Sequence, residues 1–191
     1  GEFMKKLLLG SVLLFMFGCE DLTGNLNVFQ SFNVKAKGGA QTVLAGNYKT
    51  SLNFKKDKIV ANIETAGSAI KMNLAIPQNS VIPANGNFDL LGKDSGQPFD
   101  VHGAVETVVT QSQRQSGYET CSYQDTDVVC GPQGCQQIPI TRWGQQYVEY
   151  FVRTTQKDMN FDLVSANGTV AHFDGSEKSS EKIITAQGRC N

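Results

Sequence analysis

Tyr48-Lys49-Thr50-Ser51-Leu52-Asn53-Phe54, Ile59-Val60-Ala61-Asn62-Ile63-Glu64 and Ile70-Lys71-Met72-Asn73-Leu74-Ala75-Ile76 are three runs that share one rhythm. Side chains alternate across a strand, so apolar residues at every second position mark a strand with one face on a core. Tyr48, Leu52 and Phe54 fall on one side of the first run, against Lys49, Ser51, Asn53 and Lys55 on the other. Lys56-Asp57 and Ala66-Gly67-Ser68 are turn-forming, and Pro77 stops the third run. Connections this short force neighbouring strands to be antiparallel. Upstream, Leu26, Val28, Phe32 and Val34 oppose Asn27, Ser31, Asn33 and Lys35, and Gly38-Gly39 supplies another turn. Residues 26–76 are therefore predicted to form a β-meander with one apolar face.

Downstream, residues 78–87 carry Pro83 and Gly86 and read as a crossing loop, with a short strand at 88–91 and a turn at 92–98. Phe99, Val101, Val105, Thr107 and Val109 line one face of a longer strand, extended by polar residues 111–116. Strand pattern returns at 145–154, at Met159, Phe161 and Leu163, and at 170–173 and 183–186, with Asn167-Gly168 a strong turn signal. A helix would fit only at 78–87 or 175–181. The expected fold is all-β: an antiparallel β-sandwich or a partly closed up-and-down barrel of roughly eight to ten strands.

The amino-terminal segment speaks of location. Lys5 and Lys6 precede an apolar run at 7–17, then Gly18 and Cys19. This is the build of a secretory signal, too short to span a bilayer: eleven helical residues cover about 16 Å against a hydrocarbon core of roughly 30 Å. Met16-Phe17-Gly18-Cys19 resembles the lipobox of bacterial lipoproteins, although Phe17 stands where that family usually has a small residue. The resemblance covers residues 4–19 and says nothing of the fold behind them. It implies that Cys19 is lipidated and becomes the first mature residue, held to the membrane by acyl chains worth roughly 0.8 kcal/mol per buried CH₂. It also implies residence in the bacterial cell envelope, by preference at the outer membrane facing the periplasm or exterior; Glu20 leaves the inner membrane open. Gly1-Glu2-Phe3 reads as a cloning scar. The organisation expected is scar 1–3, signal peptide 4–18, lipidated tether 19–25 and a single all-β domain 26–191 with a cysteine-rich excursion at 121–137.

Five cysteines are an odd number, and assigning Cys19 to lipid leaves Cys121, Cys130, Cys135 and Cys190 as an even set in an oxidising compartment. In Cys130-Gly131-Pro132-Gln133-Gly134-Cys135, a two-residue Pro132-Gln133 loop would set the two cysteines opposite each other within disulfide range. Cys130–Cys135 with Cys121–Cys190 is the favoured pairing; four cysteines allow three connectivities and spacing does not decide among them. A four-thiolate zinc site is the alternative, without the tight pairs typical of zinc knuckles.

The chain carries 17 basic and 18 acidic residues and no basic run, so nothing points to nucleic acid. Asp94-Ser95-Gly96-Gln97-Pro98 superficially resembles the serine surround of chymotrypsin-like proteases, but His102 and His172 both lie downstream, and a turn explains the residues better. Each histidine reads as a sheet surface residue. Asp125 with Asp127, and Asp174 with Glu177, fall short of a calcium loop. No cofactor, metal site or catalytic residue is expected. Arg142, Trp143 and Tyr147, with Tyr150 nearby, form the aromatic cluster that is a candidate binding surface, set against the alternative that Trp143 plugs one end of the core. The sequence thus predicts a non-enzymatic binding or structural domain with an envelope protein or glycan as partner. The alternative is a lipocalin-like or lipoprotein-transport-like carrier of a hydrophobic ligand.

Overall fold

The computed structural model describes residues 21–36, 39–78 and 80–191. The signal, Cys19, Glu20 and Gly38 lie outside the described residues. Among the described residues eleven strands and one short helix follow in order: β1 (Asp21–Val28), β2 (Phe32–Ala36), β3 (Gly39–Val43), β4 (Gly46–Phe54), β5 (Lys58–Thr65), β6 (Ser68–Ala75), β7 (Gly86–Leu90), α1 (Gly92–Ser95), β8 (Asp100–Gln111), β9 (Gln115–Gly131), β10 (Gly134–Ser165) and β11 (Gly168–Gln187). They build one unclosed antiparallel sheet in the order β3-β2-β6-β5-β4-β1-β11-β10-β8-β7, with β9 paired to β10. The all-β expectation holds, with eleven strands rather than eight to ten.

The chain forms two compact units. The first contains the described residues up to Pro83 with Asn87–Ala104 and Asn160–Gly175; the second contains Ala84–Gly86, Val105–Met159 and Ser176–Asn191.

In the first unit, β4, β5 and β6 are successive hairpins. Leu52 pairs with Ala61 and Ala61 with Met72, so the apolar alternation of all three strands lands on one buried face. Leu22, Leu26, Leu52, Ile59, Ile63, Met72, Leu74, Leu163 and Phe173 are fully buried there, each worth about 1.5–3 kcal/mol relative to an exposed position. Phe161 and Phe173 stack at 4.8 Å between centroids.

Two expectations about the start of this unit are corrected. β1 and β2 share an apolar rhythm yet are not neighbours: β1 pairs with β4, and β2 with β3 and β6. The chain breaks between them at Phe29 and Gln30, whose N–H groups both donate to the Val170 carbonyl. The meander is therefore confined to β4–β6. Nor is there a tether as far as residue 25, because pairing already begins with Asp21 opposite Asn53, and Leu22 is buried. Gly24 stands between Leu22 and Leu26 on the core face and interrupts the apolar alternation. A Cβ at Gly24 would collide with the backbone of Asp174 and Gly175, so the gap in the pattern is the space the neighbouring strand needs.

Among the described residues β2 and β6 share a single ladder pair, Ala36 with Met72, and toward Lys35 the two strands part. The next rung would set Lys35 against Asn73. A side-chain amide occupies it instead. Gln97 accepts from the Lys35 N–H at 2.9 Å and donates to the carbonyls of Lys35 at 3.1 Å and Asn73 at 2.8 Å. Gln97 is only 5% exposed, and nearby Phe99 meets Phe32 edge to face at 5.4 Å. The segment after β7 thus joins strands from the far end of the strand order. The turn expected at 92–98 contains α1, in which buried Ser95 donates to the Gly92 carbonyl. Neither helix considered at 78–87 and 175–181 is present among the described residues: 80–85 is a connection without regular structure, as the loop reading expected, residue 86 opens β7, and β11 covers the second segment.

In the second unit Thr107 holds the corner before β7, its N–H donating to Asn85 Oδ1 and its hydroxyl to the Ala84 carbonyl. About half of the unit is a ribbon in which β9 and the first half of β10 pair without interruption from Gly134–Gly131 to Tyr150–Gln115. The excursion expected at 121–137 is the outer part of this regular hairpin.

Candidate interaction surface

Pro132-Gln133 is the two-residue loop of the hairpin, so Cys130 and Cys135 are register partners with Cα atoms 3.9 Å apart and are joined by a disulfide. The second disulfide, Cys121–Cys190, ties β9 to the end of the chain. Around Cys190, Gly188 donates to the Tyr147 carbonyl, and Gln145 and Asn191 exchange backbone hydrogen bonds, so the tail lies along β10. Gly144 is the register partner of Cys121, and a Cβ there would collide with Asn191. Its missing side chain lets the tail approach Cys121. Both pairings favoured from the sequence are present, and they remove the four-thiolate zinc alternative.

Register partners share a face of the ribbon and successive residues alternate, so every side chain from 115 to 150 in the hairpin can be assigned a side. One face carries Tyr123, Asp125, Asp127, Glu119, Cys121, Gly144, Arg142 and Tyr150. Its charges are used: Arg142 Nε pairs with Asp125 at 2.5 Å, and Lys182 pairs with Glu119 at 2.5 Å while sitting 3.7 Å over the Tyr150 ring. The other face carries, as cross-strand pairs from the tip inward, Cys130–Cys135, Val128–Gln137, Thr126–Pro139, Gln124–Thr141, Ser122–Trp143, Thr120–Gln145 and Tyr118–Tyr147. Tyr118 and Tyr147 meet edge to face at 5.9 Å, and Gln124 donates to Thr141 at 3.1 Å. Trp143 is 75% exposed and Tyr118 72%.

The candidate cluster is thereby divided. Trp143 and Tyr147 are four residues apart on one face; Arg142 and Tyr150 are on the other. Trp143 does not plug a core, and it lies in a strand rather than a loop: the ribbon is two-sided, and Trp143 and Tyr118 stand exposed on this face. Tyr118 is the member that sequence reasoning missed. Its signal is the alternation of Tyr118, Thr120 and Ser122, which continues the polar residues 111–116 toward the cysteines.

Elsewhere, His102 Nδ1 lies 2.6 Å from Asp89 and His172 Nδ1 2.8 Å from Asp162, both cross-strand pairs with part-exposed to exposed side chains. Asp125 and Asp127 each accept from the backbone N–H of the next residue, which accounts for carboxylates considered as calcium ligands. In the first unit a hollow of about 360 Å³ is lined by Phe54, Lys55, Lys56, Ile76, Ser80, Val81 and Ile82.

The chain matches no protein-family model, no curated protein and no solved structure.

Proposed function

We propose that this protein is a lipid-anchored component of the bacterial envelope that works by binding and not by catalysis, presenting the β9–β10 ribbon to an envelope partner. The observation that carries the reading is the use of cysteine. Two disulfides take four of five cysteines, and the fifth is Cys19, which ends the lipobox-like Met16-Phe17-Gly18-Cys19. With β1 beginning at Asp21, only Glu20 separates an acylated Cys19 from the sheet. An anchor there would hold the first unit at the leaflet surface, since two residues extend at most about 7 Å. The disulfides keep the ribbon in one shape and so reduce the ordering cost of binding.

The test is expression in a bacterial host with metabolic labelling by an alkyne fatty acid. The wild-type protein is expected in the membrane fraction with label on Cys19, and Cys19→Ser unlabelled and outside it. Membrane residence of the Cys19→Ser protein, or a wild-type Cys19 without acyl groups, overturns the anchor.

A carrier reading has one observation in its favour, the mainly apolar hollow beside Val81. Against it, the inward face of the first unit is filled by the buried residues named above. A saturable complex with a fluorescent fatty acid, lost on Val81→Asp, would promote the carrier over the ribbon.

A further inference from the structure

All charged side chains of the hairpin between Gly117 and Val148 fall on one face of the ribbon. From Cys130–Cys135 at the tip to Tyr118–Tyr147 the opposite face bears only hydroxyls, amides, Val128, Pro139, the disulfide and three aromatic rings. The first charges on it are Glu149 and its partner Arg114, 3.5 Å apart. The charged face is partly covered by the protein itself, through Lys182 and the tail held at Gly144. The uncharged face is open around Trp143 and Tyr118, and at its inner end the Tyr147 hydroxyl donates to Glu149 at 3.3 Å.

Its shape is as telling as its composition. Residues 135–147 of an extended strand span about 40 Å, while two strands are only about 5 Å apart centre to centre. The surface is a long, narrow strip without a cleft, suited to a linear polymer lying along it. Trp143 and Tyr147 are about 13 Å apart along the strand, with Gln145 and Thr120 between them and Ser122 beside Trp143. Flat rings supply contact area to apolar C–H faces, and the intervening amides and hydroxyls both donate and accept hydrogen bonds. An anionic polymer or lipid surface would call for cations, which the strip lacks. A protein partner would call for a contiguous apolar centre, which the polar pairs interrupt.

We infer that the Tyr118–Trp143–Tyr147 face of the ribbon is a binding site for an uncharged linear polysaccharide. This deepens the binding role proposed above and does not depend on the lipid anchor.

The only tryptophan of the chain, Trp143, is in the site, so its emission reports occupancy directly. Detergent-solubilised full-length protein would be titrated with hexamers of N-acetylglucosamine and of glucose, with the soluble polyanions heparin and polygalacturonate as anionic controls. A saturable emission change with a neutral hexamer, and none with the controls, is expected. By calorimetry Trp143→Ala and Tyr147→Ala should each weaken binding about tenfold or more, whereas Tyr123→Ala on the charged face should change it by less than about twofold. The inference is overturned if neither hexamer binds, if the anionic probes bind equally well, or if Tyr123→Ala weakens binding as much as Trp143→Ala. It is equally overturned if sedimentation shows self-association that Trp143→Ser abolishes, since the strip would then be covered by a second copy. Cys19 acylation, measured by mass on the same sample, separates failure of this inference from failure of the anchor.

Discussion

Replacing Gln97 by Ala tests whether one side chain closes the seam between β2 and β6. The substitution removes three hydrogen bonds at a position 5% exposed. Each contributes about 0.5–1.5 kcal/mol net, and a backbone group left without a partner away from water costs about 1–3 kcal/mol. Partial rescue by water lowers the total, so Gln97→Ala is expected to cost about 2–4 kcal/mol, seen as a lower urea midpoint with an unchanged slope. Gln97→Glu adds a sharper readout. It removes both N–H donors and sets a carboxylate against the carbonyl oxygens of Lys35 and Asn73, which favours the protonated form in the folded state. The folded pKa of the introduced carboxyl then lies above its unfolded value of about 4.3, and the folded state binds more protons than the unfolded state. Stability should therefore match the neutral acid below about pH 4 and fall as pH rises through that range and beyond. Urea melts of wild type and both variants at about pH 4 and pH 7 measure this. A loss under about 0.5 kcal/mol for Gln97→Ala, or a pH-independent penalty for Gln97→Glu, would refute the carboxamide rung.

The disulfides should contribute unequally: loop-closure arithmetic gives about 4 kcal/mol for Cys121–Cys190, which closes 69 positions, and about 2 kcal/mol for Cys130–Cys135, which closes 5. Pairwise Cys→Ser variants compared by urea melts check the order, and a larger loss from the short loop contradicts it. Gly24→Ala should cost about 1–3 kcal/mol or more, because its Cβ meets the backbone of Asp174 and Gly175, and calorimetric melting would show a lowered Tm. Trp143→Ala, by contrast, should alter stability by no more than about 0.5 kcal/mol, as expected for an exposed ring; a large loss would mean that the ring packs after all.

Much of this protein is legible in its residues because the decisive forces there are local. Alternation in 48–54, 59–64 and 70–76 reports which side of a strand is wet, and a two-residue connection leaves the chain no choice but to turn back. The same locality makes Cys130–Cys135 readable through Pro132-Gln133. The division of Arg142 from Trp143 and Tyr147 is also present, in nothing more than odd and even positions. It is masked by a composition of glycine, cysteine and polar residues that resembles a loop.

What only the tertiary structure decided is who stands beside whom. Period two says that Val28 and Val34 are buried, and is silent on β1 joining β4 while β2 joins β6, since that choice depends on backbone pairing between distant segments. Gln97 reads as a turn residue until Lys35 and Asn73, 62 and 24 positions away, are brought to its amide. Gly24 and Gly144 read as gaps until Asp174 and Asn191 arrive to fill them. The residues set the faces; long-range packing chose the neighbours, because hydrogen bonds and excluded volume act between atoms that the order of the chain does not place together.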